Sequence, residues 1–177
     1  MPRINPVVMD NLDPDTAEVL ETVKTKLGAL PNIFTTFAQS PVALNGYLQL
    51  SDTLSHGQLT SKQRELIAIA VAQQNQCGYC LSAHAAIGKG AGLENDDVMG
   101  ARKGMASSPQ NEAIVKFALQ VVRTQGAVSD EDLTNIVKTC GHEGIALEIA
   151  SNVALNIMTN YMNRLADTEI DFPNVDL

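Results

Sequence analysis

Two cysteines three positions apart, Cys77 and Cys80, lie between an acid, Glu65, and an imidazole, His84. On a helix beginning near Cys77, Cys80 falls three positions on and His84 four beyond that, so the three side chains can share one face. A thiol attacks as its thiolate, and a helix N-terminus with a base nearby lowers its pKa. A second thiol can capture the sulfenic acid left by oxidation as a disulfide, which stops further oxidation and leaves a form that an external dithiol can reduce. His84 is placed to take a thiol proton, directly or through water, and Glu65 to orient that imidazole or pass the proton on. The helix dipole alone favours Cys77, nearer the helix start, as the more acidic thiol.

The same residues admit quieter readings. Cys77, Cys80 and His84 could supply three zinc ligands, or four with Glu65. Structural zinc sites usually draw on two separated ligand pairs, however, and the only other candidates are the loosely spaced Cys140 and His142. Glu65 by itself is an ordinary first-turn helix acid. Cys140 fits a small apolar residue near a helix end, and His56 and His142 fit loops or caps. Asn152, Asn156, Asn160 and Asn163 draw a polar line along an otherwise apolar helix, suited to bonding across a helix interface or lining a cavity. The six methionines are scattered and fit core filling.

The elements that must position these groups are helical throughout, because apolar residues recur at three- and four-residue steps and no sustained alternation marks a strand. Asp13-Pro14 opens a first helix with a buried stripe at Leu20, Val23 and Leu27, stopped by Gly28. A short helix follows from Ile33 to Ala38. Ser40-Pro41 starts a third, with Leu44, Leu48 and Leu54 inward. Thr60 and Gln63 form a capping box for the helix that carries Glu65 to about Gln74. Its run Leu66–Ala72 has no polar face, which marks a helix covered on all sides and leaves Glu65 partly desolvated at its mouth. The Cys77 helix should end near Gly88-Lys89-Gly90. A connector helix at Asn95, an amphipathic helix from Pro109 to Thr124, a helix from Ser129 to about Cys140 and a long one from Glu143 to Ala166 complete the chain. A polar tail follows, with Phe172 able to enter a groove.

The chain has 177 residues, enough for one sizeable core, and 20 acidic against 12 basic side chains give a formal charge of −8. No Lys/Arg-rich segment interrupts that balance, which argues against nucleic acid or an anionic membrane as partner. Neither a signal-like N-terminus nor a membrane-length apolar stretch is visible, so a cytoplasmic location is expected. In a reducing compartment, a close cysteine pair is more often redox-active or metal-binding than a structural staple.

Glu65, eleven intervening residues, Cys77-x-x-Cys80, three more and His84 together resemble the alkyl hydroperoxidase AhpD family of the carboxymuconolactone decarboxylase superfamily. Leu59-Thr60 before Arg64-Glu65-Leu66-Ile67 is similar to the family's lead-in. Leu30-Pro31-Asn32-Ile33-Phe34, the Asn156–Asn163 region and Asp171-Phe172-Pro173 resemble its peroxidase-related branch. The likeness covers nearly the whole chain and implies one all-α, AhpD-like helical bundle over residues 1–177, with its motif region at 55–105. It implies homo-oligomers and peroxide reduction without metal, haem or flavin. Cys80 would attack peroxide, Cys77 would resolve it, and Glu65 and His84 would relay protons. The sequence departs at Tyr79, where the best-studied AhpD type has histidine. Tyrosine removes one proton carrier while keeping a donor hydroxyl in a supporting place.

The expectation is therefore a thiol-dependent peroxidase acting on hydrogen peroxide or organic hydroperoxides and recycled by a dithiol or thiol, protein or small molecule. Alternatives are a disulfide reductase or redox relay using the same cysteines, a non-redox decarboxylase of the namesake type, and an oxidant-sensing binding module. The tail, which lacks a core of its own, is expected to bury Phe172 against a neighbouring subunit.

Overall fold

The computed structural model describes residues 1–177, with nine α-helices and no strand. The helix over Ser61–Gln74, α4 below, explains the arrangement of the rest. Seven consecutive residues from Leu66 to Ala72 are buried. Leu66, Ile69, Ala70 and Ala72 enter one apolar cluster and Ile67 and Val71 another, so the helix has no polar face because neither side meets water. The first cluster is completed mainly by Gly78–Gly90 (α5) and Asn95–Arg102 (α6). The second is completed by Pro109–Thr124 (α7), Asp130–Cys140 (α8) and Gly144–Ala166 (α9). Pro14–Leu27 (α1), Asn32–Phe37 (α2) and Pro41–Ser55 (α3) build a third cluster around Leu20, Phe34, Phe37 and Leu44.

Local chemistry sets most helix starts. Asp13 accepts the Thr16 N–H at 3.0 Å, and Pro14 occupies the first turn of α1. Thr60 and Gln63 exchange bonds of 3.2 and 3.0 Å as a reciprocal box. Glu148 of α9 adds a tie that spacing alone does not reveal. Its carboxylate accepts the N–H groups of Gln58 and Leu59 at 3.0 and 2.8 Å, fixing the segment that leads into α4.

Two expectations are corrected. Leu27, placed on the buried stripe of α1, is 57% exposed, because the last turn of that helix runs past the cluster that covers Leu20 and Val23. The tail, expected to seek a neighbouring subunit, lies along its own chain. Asp171 accepts the Asn32 N–H at 2.7 Å, the Val175 N–H reaches Ser82 Oγ at 3.0 Å, and Phe172 packs edge-on against Tyr79 with ring centroids 5.8 Å apart. No helix is long and apolar enough to cross a membrane.

Candidate active site

The site forms where α4 hands over to α5. Asn75 ends α4, Gln76 takes a left-handed backbone with φ of 53°, and the Cys77 N–H returns to the Ala72 carbonyl at 2.9 Å. This three-residue turn makes Cys77 the N-cap of α5. Its sulfur accepts the Cys80 N–H at 3.3 Å, a first-turn donor with no partner inside the helix that a serine or aspartate would ordinarily satisfy. Cys77 and Cys80 are disulfide-bonded across a Cα separation of 5.3 Å, and both are buried. An N-cap and the residue three beyond it are brought this close by the helix start itself.

One turn further along α5, His84 Nδ1 lies 2.8 Å from Glu65 Oε2. Their side chains are 22% and 16% exposed, so the contact is mostly sheltered. A carboxylate only accepts, so Glu65 holds the imidazole with a proton on Nδ1 and leaves Nε2 for proton exchange. Glu65 sits in the second turn of α4, ahead of the buried run, rather than at a solvated helix end. No group of three or more His, Cys, Asp or Glu side chains is gathered as a metal ion requires.

Cys80, His84 and Glu65 line one cavity of about 380 Å³. Its walls are largely apolar, with Phe34, Leu48, Ala68, Leu155 and Phe172 among them, and Asn152, Asn156 and Asn163 form a polar seam. The asparagine line thus does both things expected of it. Asn75 Nδ2 bonds Asn160 Oδ1 at 2.9 Å, pinning the α4–α5 turn to α9, while Asn163 Nδ2 donates to Cys80 Sγ at 3.4 Å. Asn163 is 2% exposed, and its Oδ1 has no protein partner.

Tyr79 reaches from α5 to α2. Its hydroxyl accepts the Ile33 N–H at 3.1 Å, and burial, with the charge of Asp171 adding to it, pushes the phenol well above its ordinary range against the opposing pull of that N–H. The side chain therefore ties α5 to α2 as an un-ionised phenol. Sequence reasoning passed over Tyr47, which lines the same cavity. Burial, and then the negative charge of Glu65, raise its pKa to about 12. No local motif marks it, because it belongs to an ordinary helical stretch of α3. Cys140 is half-buried at the end of α8 beside the second cluster, and burial pushes its thiol upward despite a bond from Gln110.

Residues 41–124 match the carboxymuconolactone decarboxylase family. Comparison with functionally curated proteins gives no match. Among solved structures, an alkylhydroperoxidase AhpD core protein described as peroxidase-related, from Ralstonia eutropha JMP134, superposes with a TM-score of 0.88 at 25% identity. The alignment covers 96% of this chain and 92% of that one. A peroxidase-related protein from Silicibacter sp. TM1040 gives 0.81 at 21% identity, over 94% and 91% of the two chains. The debrominase Bmp8, solved with 2,3,4-tribromopyrrole, gives 0.77 at 20% identity, over 95% and 91%. The family match spans the cysteine motif, and over nearly its whole length this chain is similar in fold to AhpD-like proteins of the carboxymuconolactone decarboxylase superfamily.

Proposed function

We propose that the protein is a thiol-dependent peroxidase that reduces organic hydroperoxides or hydrogen peroxide through Cys80 and Cys77. The observation that carries this reading is the meeting of Cys80, His84 and Glu65 in one largely apolar cavity, with the second sulfur bonded to the first. In the reduced protein, the Cys80 thiolate attacks the terminal peroxide oxygen. The S–O bond forms as the O–O bond breaks, and the departing alkoxide takes a proton from His84, which Glu65 keeps in position. Cys77 then attacks the sulfenic sulfur, so that the S–S bond forms and water leaves. Two thiols and one hydroperoxide give one disulfide, one alcohol and one water. The Asn163 N–H stabilises the sulfur anion at the start of the cycle.

The reduced protein should lose two titratable thiols per equivalent of cumene hydroperoxide and release the corresponding alcohol. Cys80→Ser should lose this reaction, whereas Cys77→Ser should stop at a Cys80 sulfenic acid that dimedone traps. Retention of both thiols in the wild type under excess peroxide would refute the reading. A disulfide reductase would instead leave peroxide untouched while reducing an added disulfide substrate.

Self-association is also proposed, on a surface other than the tail. Leu147, Tyr161 and Leu165 share one side of α9 and are 73%, 58% and 58% exposed. Light scattering should give a multiple of the monomer mass.

A further inference from the structure

A second opening meets the cysteine pair. The cavity described above touches Cys80 and not Cys77, whereas a separate, more polar cleft touches Cys77 and not Cys80. Its walls include Gln76 and Gly78 at the start of α5 and Arg164, Thr168 and Ile170 at the end of α9 and beyond. Ile170 lies over the start of α5, with its Cδ1 3.8 Å from where a Cβ on Gly78 would stand. Tyr79 and Asn163 belong to both openings and so form the partition between them. Two buried polar atoms in this partition and wall, Asn163 Oδ1 and Thr168 Oγ1, have no protein partner. Unpaired buried polar groups of this kind are uncommon in a folded chain and mark a place where something else bonds.

We propose that the two half-reactions use different doors: peroxide reaches Cys80 through the apolar cavity, and a dithiol reductant reaches Cys77 through the polar cleft. The assignment rests on the peroxidase reading for the first door and on the disulfide alone for the second. Thiol–disulfide exchange requires the incoming thiolate to approach along the S–S axis and favours expulsion of the better-stabilised sulfur. Attack on Cys77 meets the second of these conditions, because the sulfur expelled is Cys80, which receives the Asn163 N–H and shares its cavity with His84. The reductant thiolate forms an S–S bond to Cys77 as the Cys77–Cys80 bond breaks, and the Cys80 thiolate takes a proton. The second thiol of the reductant then attacks the reductant sulfur of the mixed disulfide. Cys77 leaves as a thiolate, accepting the Cys80 N–H at the helix start. One dithiol is oxidised to its disulfide and the cysteine pair is reduced. Separate doors let peroxide and reductant act without displacing each other, and keep the reductant away from the peroxide cavity.

The test begins with protein oxidised by diamide, so that it needs no peroxidase activity. Limiting 2-mercaptoethanol is added and the reaction is quenched with acid within milliseconds, then alkylated and mapped by peptide mass spectrometry. The adduct should be on Cys77 and the free thiol on Cys80. An adduct predominantly on Cys80 overturns the proposal. Ile170→Trp, which narrows the cleft, should slow reduction by dithiothreitol at least tenfold, and reduction by a protein dithiol such as thioredoxin more strongly. Leu155→Trp, which narrows the cavity, should slow oxidation by cumene hydroperoxide and leave reduction within twofold. If both substitutions slow both half-reactions alike in folded protein, the two doors are one. Loss of peroxide oxidation in the wild type, with the adduct still on Cys77, would remove the peroxidase reading and leave the reductant cleft standing.

Discussion

Glu65 of α4 holds Nδ1 of His84 on α5 at 2.8 Å, so the acid and the imidazole form one unit although nineteen positions separate them. Replacement of either by glutamine keeps much of its shape and removes its ionisable group. Each single change should slow peroxide-driven disulfide formation on the order of a hundredfold near neutral pH, the scale of general acid–base catalysis. The double variant should be little worse than either single one, because a unit broken once is already broken. Raising the pH should restore part of the rate as more thiolate forms without help. Stopped-flow peroxide consumption against pH, beside thermal melts, checks this. Wild-type rates in folded single variants would exclude the relay.

Asn163→Leu removes the N–H donated to Cys80 sulfur at 3.4 Å and preserves most of the volume. The Cys80 thiolate should lose stability, shifting the pH profile of its alkylation upward by on the order of one unit, as expected for a hydrogen bond to a charged group. Iodoacetamide rates measured from pH 5 to 10 on the reduced protein report it directly. A purely structural asparagine would change the melt and leave that profile in place.

Tyr79→Phe strips the Ile33 N–H of its acceptor. The expected loss is roughly 1–3 kcal/mol of stability, as for a largely buried donor left unpaired. Disulfide formation by peroxide should stay close to the wild-type rate, since the phenol acts as a tie between helices. Denaturant melts and stopped-flow traces on the same sample separate the two outcomes. A collapse in rate with an unchanged melt would return Tyr79 to the chemistry.

Phe172→Ala removes the ring packed on Tyr79. Because the ring is half-buried, the cost should be roughly 1–3 kcal/mol, below the range for a fully buried phenylalanine. This contact lies within one chain, so the loss should be independent of protein concentration. A loss that fades on dilution would show the tail docking on a neighbour.

Asp97 carries a pH signature. Its carboxylate accepts the Glu94 N–H at 3.1 Å and Lys62 Nζ at 3.2 Å, and these bonds, the Glu94 one foremost, hold its pKa below the ordinary 3.8. A carboxyl depressed in the folded state adds stability above its unfolded pKa and loses it as pH falls through the folded value. Asp97→Asn should therefore melt lower than wild type at pH 7, with the difference shrinking below about pH 4. A difference constant from pH 7 to pH 3 would contradict the linkage.

The helices and the cysteine motif were legible because their causes are local. Asp13-Pro14, the Thr60–Gln63 box and the glycine after Cys140 act within a few residues, and the apolar run from Leu66 to Ala72 announced a helix buried on every side. The spacing from Cys77 to Cys80 already brings the two sulfurs within reach at a helix start, and the step to His84 keeps the imidazole one turn further along. What the sequence could not decide is which distant groups meet them. Leu27 follows the periodicity of its helix yet projects past the cluster, because burial depends on where the neighbouring helices end. Tyr47, the Asn163 bond to Cys80 and the fold of the tail over α5 join residues far apart in the chain. Residue order thus set the spacing of the cysteine pair and its local geometry. Only the packing of α9 and the tail against α5 decided that Cys80 lines one opening and Cys77 another, because an opening is a property of the surfaces that surround a residue and not of the residue itself.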